Sequence, residues 1–318
     1  MSTALNLRAG LWKRRRSRFI DKIYSQRYLF LMSLIFVAWI VVFRYLPLWG
    51  WAMAFVDYKP ALPFWQQQWV GLRHFIELFH DPTFYQVLRN TLAMSVMNLI
   101  VGYTVPVAFA LLLNEIRTSA FKRAIQTISY LPHFVSWVIV AGMFSKLLSL
   151  NGEVNTLLKS LGLVDKPIMF FAKGEYFWAI ATAVDLWKEL GWNSIIFLAA
   201  IMGVDETLHE AAMVDGAGRF RRMWHVTLPG IRPVFAIMLV MSIGNIINIG
   251  FERQFLLQTP LVLDYSQVLD LYALNYGINI MRYSYGTAIG IFKSVVGVIM
   301  LFAANRLIKR YGEENTVF

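Results

Sequence analysis

The chain of 318 residues contains no cysteine, which excludes disulfide frameworks, thiolate nucleophiles and cysteine-based metal sites. Charge is scarce as well: Asp, Glu, Lys and Arg together make up 15% of residues, against 58% hydrophobic. A soluble domain needs a more polar surface than this allows, and the mean hydropathy of +0.52 points to lipid around much of the chain. Several catalytic patterns are also absent. There is no Gly-x4-Gly-Lys-Ser/Thr loop to cradle phosphate. His209-Glu210 opens like a zinc-protease motif, but Met213 stands where the second histidine is needed. His74 and His80 lack an obvious third ligand, and no nucleophile elbow occurs, so no metal and no catalytic residues are expected.

What is present is a series of long apolar runs. A bilayer core takes about 20 helical residues per crossing. Candidate spans are Tyr28–Trp49, Val87–Leu113, Ile125–Leu148, Phe177–Met202, Val234–Gly250 and Ala288–Leu307. The first is longer than a signal-peptide core of ~7–15 residues and is read as a retained span. An all-α membrane protein with about six transmembrane helices and both termini on one side is expected.

The net charge of +11 could suggest nucleic acid, but the basic residues are unevenly placed. Lys13, Arg14, Arg15, Arg16, Arg18, Lys22 and Arg27 precede the first span. Arg117, Lys122 and Arg123 follow the second, Arg219, Arg221, Arg222 and Arg232 the fourth, and Arg306, Lys309 and Arg310 the sixth. The positive-inside rule puts all of them in the cytoplasm. The expected organisation is a cytoplasmic segment over 1–27, a membrane domain over 28–307 with a cytoplasmic loop at 203–232, and a cytoplasmic tail over 308–318. The other side, which includes Arg253, Arg282, Asp264 and Asp270, is not basic. Trp49, Trp51, Trp65 and Trp69 lie where the first outer loop meets headgroups, as an aromatic belt does.

Between the fourth and fifth spans, Thr207 and Glu210 have capping-box spacing, which predicts a helix from about Leu208. Asp215-Gly216 supplies its stop, because glycine accepts the left-handed backbone that ends a helix. A second short helix follows, with Phe220, Met223 and Trp224 on one face.

The run Glu210-Ala211-Ala212, Gly216 and Val226-Thr227-Leu228-Pro229 resembles the Glu-Ala-Ala-x3-Gly-x9-Ile-x-Leu-Pro loop of type I ABC importer permeases, the binding-protein-dependent inner-membrane components. Val226 stands in the Ile position. The resemblance implies that this loop is the coupling helix, with Glu210, Ala211, Ala212, Asp215 and Gly216 transmitting closure of the ATPase subunits. It also implies a second permease subunit, a different chain rather than a copy, two ATPase subunits that hold ATP and Mg, and an extracytoplasmic solute-binding protein. This chain would bind no cofactor and no nucleic acid, and would sit in a bacterial inner membrane. Phe55-Val56-Asp57-Tyr58-Lys59-Pro60, Arg89-Asn90-Thr91-Leu92, Leu113-Asn114-Glu115-Ile116, Ser129-Tyr130-Leu131-Pro132-His133-Phe134 and Gly250-Phe251-Glu252 resemble the complex-saccharide branch, which includes a permease for alginate. An oligo- or polysaccharide, alginate or another acidic sugar among them, is the implied cargo. An ion-gradient-driven secondary transporter is the alternative, and a membrane enzyme a weaker one.

Charges inside a span cost about 2.5–3.5 kcal/mol on insertion scales, so they mark function by default. Asp185, Lys188 and Glu189 fall in the fourth span, where Lys188 is spaced to pair with Asp185, either as packing at an interface or in a pathway. Asn245, Asn248 and Glu252 are expected to form one polar stripe on the fifth, facing a wet route or bonding another helix. Trp187, Trp192, Tyr265 and Tyr272 are candidates to stack on the C–H faces of a sugar. Arg44, Lys146 and Lys293 are expected to snorkel.

Overall fold

The computed structural model describes residues 25–310; the segments expected to be cytoplasmic at 1–24 and 311–318 lie outside these. Two compact units are present, one ending at Met53 and one beginning at Ala54. The first holds α1, Arg27–Ile40, continued by a π-helical turn at Val41–Tyr45 and a 3-10 stretch that starts at Leu46. No acidic residue interrupts this run, whose apolar composition suits a crossing.

The second unit opens with a two-stranded antiparallel hairpin, β1 Val56–Asp57 with β2 Gln68–Trp69, and then α2, Arg73–His80. Asp81 caps the long α3, Pro82–Asn114, by accepting the Thr83 N–H at 2.8 Å, and Pro82 sits at N1, where its missing N–H costs nothing. The third expected span is broken. Helix α4, Ser119–Tyr130, and α5, Trp137–Leu147, are bent by 103° across residues 131–136. Pro132 favours the break and the Ser136 hydroxyl caps the new helix. After α6, Glu153–Ser160, comes α7, Gly174–Met202, which forms the most extensive helix pairing of the unit with α3. Helices have no hydrophobic drive to associate in lipid, so close packing must hold them together. Gly191 of α7 provides it: a Cβ there would overlap the Ser129 carbonyl at the end of α4.

The loop helix α8, Glu206–Val214, starts two residues earlier than expected. Asp205, not Thr207, is the cap, accepting the Thr207 N–H at 2.9 Å, so the Thr207–Glu210 box does not form. The C-terminus behaves as expected. Gly216 has φ +76°, its N–H bonds the Met213 carbonyl at 3.0 Å and that of Ala217 bonds Ala212 at 2.9 Å, which is the Schellman pattern. The second short helix, α9 Arg219–Arg222, runs on to Gly230 and meets α10, Arg232–Gly244, at 58°.

Helix α10 ends at Gly244, six residues before the expected end of the fifth span. The polar stripe therefore does not form: Asn245 caps α10, Asn248 lies in the turn beyond it, and Glu252 begins a separate helix, α11, Glu252–Leu257. From Gly250 to Ile280 the chain folds back as short pieces, among them α12 Leu263–Ser266 and α13 Leu269–Leu274, which pack on α3, α5, α7 and the final helix α14, Tyr283–Arg310. The Arg89-Asn90-Thr91-Leu92 motif fastens this segment. The buried Asn90 amide donates to the Asp264 and Gln267 carbonyls at 2.9 Å each, and the Thr91 hydroxyl accepts the Leu269 N–H at 2.9 Å. Asn90→Ala would leave the Gln267 carbonyl without this donor, while the Asp264 carbonyl keeps Gln86 and Arg89, and is expected to cost about 2 kcal/mol. Thermal unfolding of the detergent-solubilised protein would check this; an unchanged midpoint would remove the fastening role.

Candidate functional site: a polar cavity between spans and a projecting lever

Four of the candidate pathway residues surround two neighbouring hollows. One, of about 260 Å³, is lined by α3, α7 and α10 and presents Ser95, Asn98, Asp185, Asn193, Ser242 and Asn245. The other, of about 400 Å³, is lined by Trp137, Asp185, Glu189, Glu252 and Arg253 among others. Asp185 belongs to both. Ser95, Asn98 and Gly102 recur at helical spacing on α3, a signal that the sequence held and the apolar average of that span concealed.

The ionic pairing differs from the expected one. Asp185 bonds Arg253 of the fold-back segment at 2.8 Å, and Arg253 is 4% exposed, so it is buried against α7. Lys188 is turned the other way: it sits 3.2 Å from Glu189 and donates to the His133 carbonyl at 2.5 Å. Glu189 in turn accepts from His133 Nδ1 at 2.6 Å, which fixes the break between α4 and α5 onto α7. Adjacent residues on a helix point in different directions, and the nearest opposite charge in space outcompetes the i, i+3 partner. Lys293 does not reach outward to snorkel; it pairs with Asp270, and both side chains are largely buried.

The aromatic candidates divide. Trp192 stacks on His133 with ring centroids 4.2 Å apart, and Trp187 packs edge-on to Phe144 at 5.3 Å while staying partly exposed. Tyr265 is held between Trp178, whose indole N–H bonds its carbonyl at 2.9 Å, and the Arg89 guanidinium 5.2 Å above its ring. Tyr272 is fully buried, with its hydroxyl on Asp81 at 2.5 Å and on Tyr285 at 2.8 Å, so the structure keeps it away from both cavities. Burial alone would raise the Asp81 carboxyl, but bonds from Tyr272 and the Thr83 N–H outweigh it and hold Asp81 below the usual carboxylate range.

The lever is built differently. Glu210, Ala211, Asp215 and Gly216 are exposed and Ala212 is half-buried. Glu210 has no partner among the described residues. Around it Leu208, Met213, Val214, Phe220 and Trp224 expose large apolar surfaces, Val214 to 89%. Scattered apolar residues need no explanation, but five within one loop form a patch that invites a partner. Among the described residues no cluster of three metal-ligating side chains occurs.

Residues 102–313 match the family described as binding-protein-dependent transport system inner membrane component, and the chain belongs to that family. It is the permease subunit of a type I ABC importer, a transport component whose ATPase activity lies in partner chains. It is 43% identical over 303 residues to the polygalacturonan/rhamnogalacturonan transport system permease protein YteP of Bacillus subtilis (strain 168), covering 95% of this chain and 94% of that one. Protein LplB of the same organism is 42% identical over 91% of this chain and 90% of its own length. Among solved structures, a bacterial ABC transporter involved in the import of the acidic polysaccharide alginate superposes with TM-score 0.85 and 37% identity, covering 93% of this chain and 100% of that one. A bacterial alginate ABC transporter in complex with alginate pentasaccharide-bound periplasmic protein gives TM-score 0.82 and 36% identity, over 92% of this chain and 98% of that one.

Proposed function

We propose that this permease carries an oligosaccharide inward across a bacterial inner membrane, with acidic chains of the alginate or polygalacturonate kind as the favoured cargo. The carrying observation is the cavity on α3, α7 and α10, whose amides and hydroxyls from Asn98, Asn193, Asn245, Ser95 and Ser242 match the donors and acceptors of a sugar. Asp185 and Glu189 would line the same route with their cations already engaged. Trp187, Trp192 and Glu252 border it, while Asn248, Tyr265 and Tyr272 serve the packing around it.

In this reading both termini are cytoplasmic, and a second, non-identical permease chain completes the route. Two ATPase subunits, carrying ATP and Mg, receive α8 in a cleft. Glu210, Ala211 and Ala212 form its contact face, and the Asp215-Gly216 stop fixes its length. ATP-driven closure pushes α8, the thrust passes through α9 into the bent start of α10, and the route changes from inward- to outward-facing. A solute-binding protein delivers the saccharide.

Uptake of labelled trigalacturonate and of a neutral trisaccharide by cells with and without this gene tests the cargo. Loss of trigalacturonate uptake in the deletion is expected. Uptake that follows an ion gradient and ignores ATP depletion would return the secondary transporter, and transport of amino acids alone would remove the saccharide.

A further inference from the structure

A third hollow of about 620 Å³ lies between α2 and the start of α14, and it shares no lining residue with the route. Its wall is fixed by backbone bonds. The Ser284 hydroxyl donates to the Val56 carbonyl at 2.7 Å and accepts the Tyr58 N–H at 3.0 Å. His74 Nε2 meets the same carbonyl at 3.2 Å. A carbonyl only accepts, so Nε2 carries the proton and Nδ1, buried in the wall, is an acceptor without a partner among the described residues.

The charges of the pocket are almost balanced. Asp57 faces Lys59 at 3.7 Å, and Glu77 receives Arg282 at 2.5 Å, whose guanidinium also lies 4.4 Å from the Tyr285 ring centroid. Arg73 remains: exposed on the rim, it has no acidic partner among the described residues. Beside it, Tyr58 and Tyr283 meet edge to face at 6.0 Å, and their hydroxyls have no hydrogen-bond partner among the described residues. His80 donates Nδ1–H to Ile76 at 2.7 Å, which leaves its Nε2 as a further acceptor on the rim. One uncompensated guanidinium, two phenol rings with open hydroxyls and two imidazole acceptors together fit a molecule with a carboxylate, several hydroxyls and an apolar ring face. A uronic acid unit has all three.

We infer that this pocket is an outer saccharide site that grips a uronate of the substrate through Arg73 while other units occupy the route. The inference rests on the proposed saccharide cargo and topology, which place α2 and the start of α14 outside the cell.

The assembled transporter in lipid nanodiscs, without its binding protein, would be titrated with trigalacturonate and with maltotriose. Trigalacturonate should bind the more tightly. Arg73→Ala should weaken it about tenfold or more, the effect of losing a charged hydrogen bond. Tyr283→Ala should weaken it also, and Lys159→Ala, an exposed position that lines neither this pocket nor the route, should leave it unchanged. Equal affinity in Arg73→Ala, no preference over maltotriose, or no binding would overturn the site. So would an Arg73→Ala defect confined to capture of the purified binding protein, which would make the pocket a protein socket. If the wild-type complex with its binding protein takes up no saccharide at all, the cargo reading fails instead.

Discussion

Glu210→Ala is expected to lower uptake at least tenfold while leaving insertion and thermal stability unchanged. The side chain is exposed and makes no hydrogen bond or ion pair with a described residue, and surface changes of that kind stay within about 0.5 kcal/mol. Any defect must therefore arise at a partner. Gly216→Val acts by another route. Nothing lies within 4 Å of a Cβ at that position, so space is no obstacle, but φ +76° is left-handed and costs a branched residue about 1–2 kcal/mol. That strain frays the end of α8 just where both Schellman bonds close it. Co-purification of the ATPase together with transport in proteoliposomes would read both variants. Wild-type transport in the two would remove the assigned lever.

Arg253→Met should be the most damaging single change in the membrane core. It strands Asp185 at the wall of both hollows, and breaking a buried pair costs about 3–5 kcal/mol. The lower end applies, because the Asp185 side chain is 32% exposed to the cavity. Transport should collapse, since the fold-back segment loses an anchor on α7. Adding Asp185→Asn should restore most of the thermal midpoint, as the uncompensated charge is then gone. If the double variant melts as low as the single one, packing by Arg253 rather than charge balance holds the segment.

The first, second, fourth and sixth spans were legible because each apolar run is local, and so was the stop of α8, since Asp215-Gly216 writes its geometry in two adjacent residues. The fold-back segment was not. Its charges are satisfied by residues far away in sequence, Arg253 by Asp185 and Asp270 by Lys293, and no periodicity within a window carries such a pairing. Local spacing instead suggested Lys188 with Asp185. The break at residues 131–136 had a trace in Pro132 and Ser136, outweighed by the apolar residues on either side. In the lever, the capping box lost to Asp205 because a carboxylate one residue before the helix takes the Thr207 N–H first. The cavity amides went unnoticed for a related reason: the polar positions around Asn98 on α3 and Asn193 on α7 become a set only when the two helices pack.

The pairing of Asp270 with Lys293 sets an order on biogenesis. The anion is synthesised 23 residues before its cation, so this tie closes only once the terminal helix has been made, after the partners on α3 and α7 are already present. The last helix made thus adds the final tie to a return of the chain that its predecessors already hold.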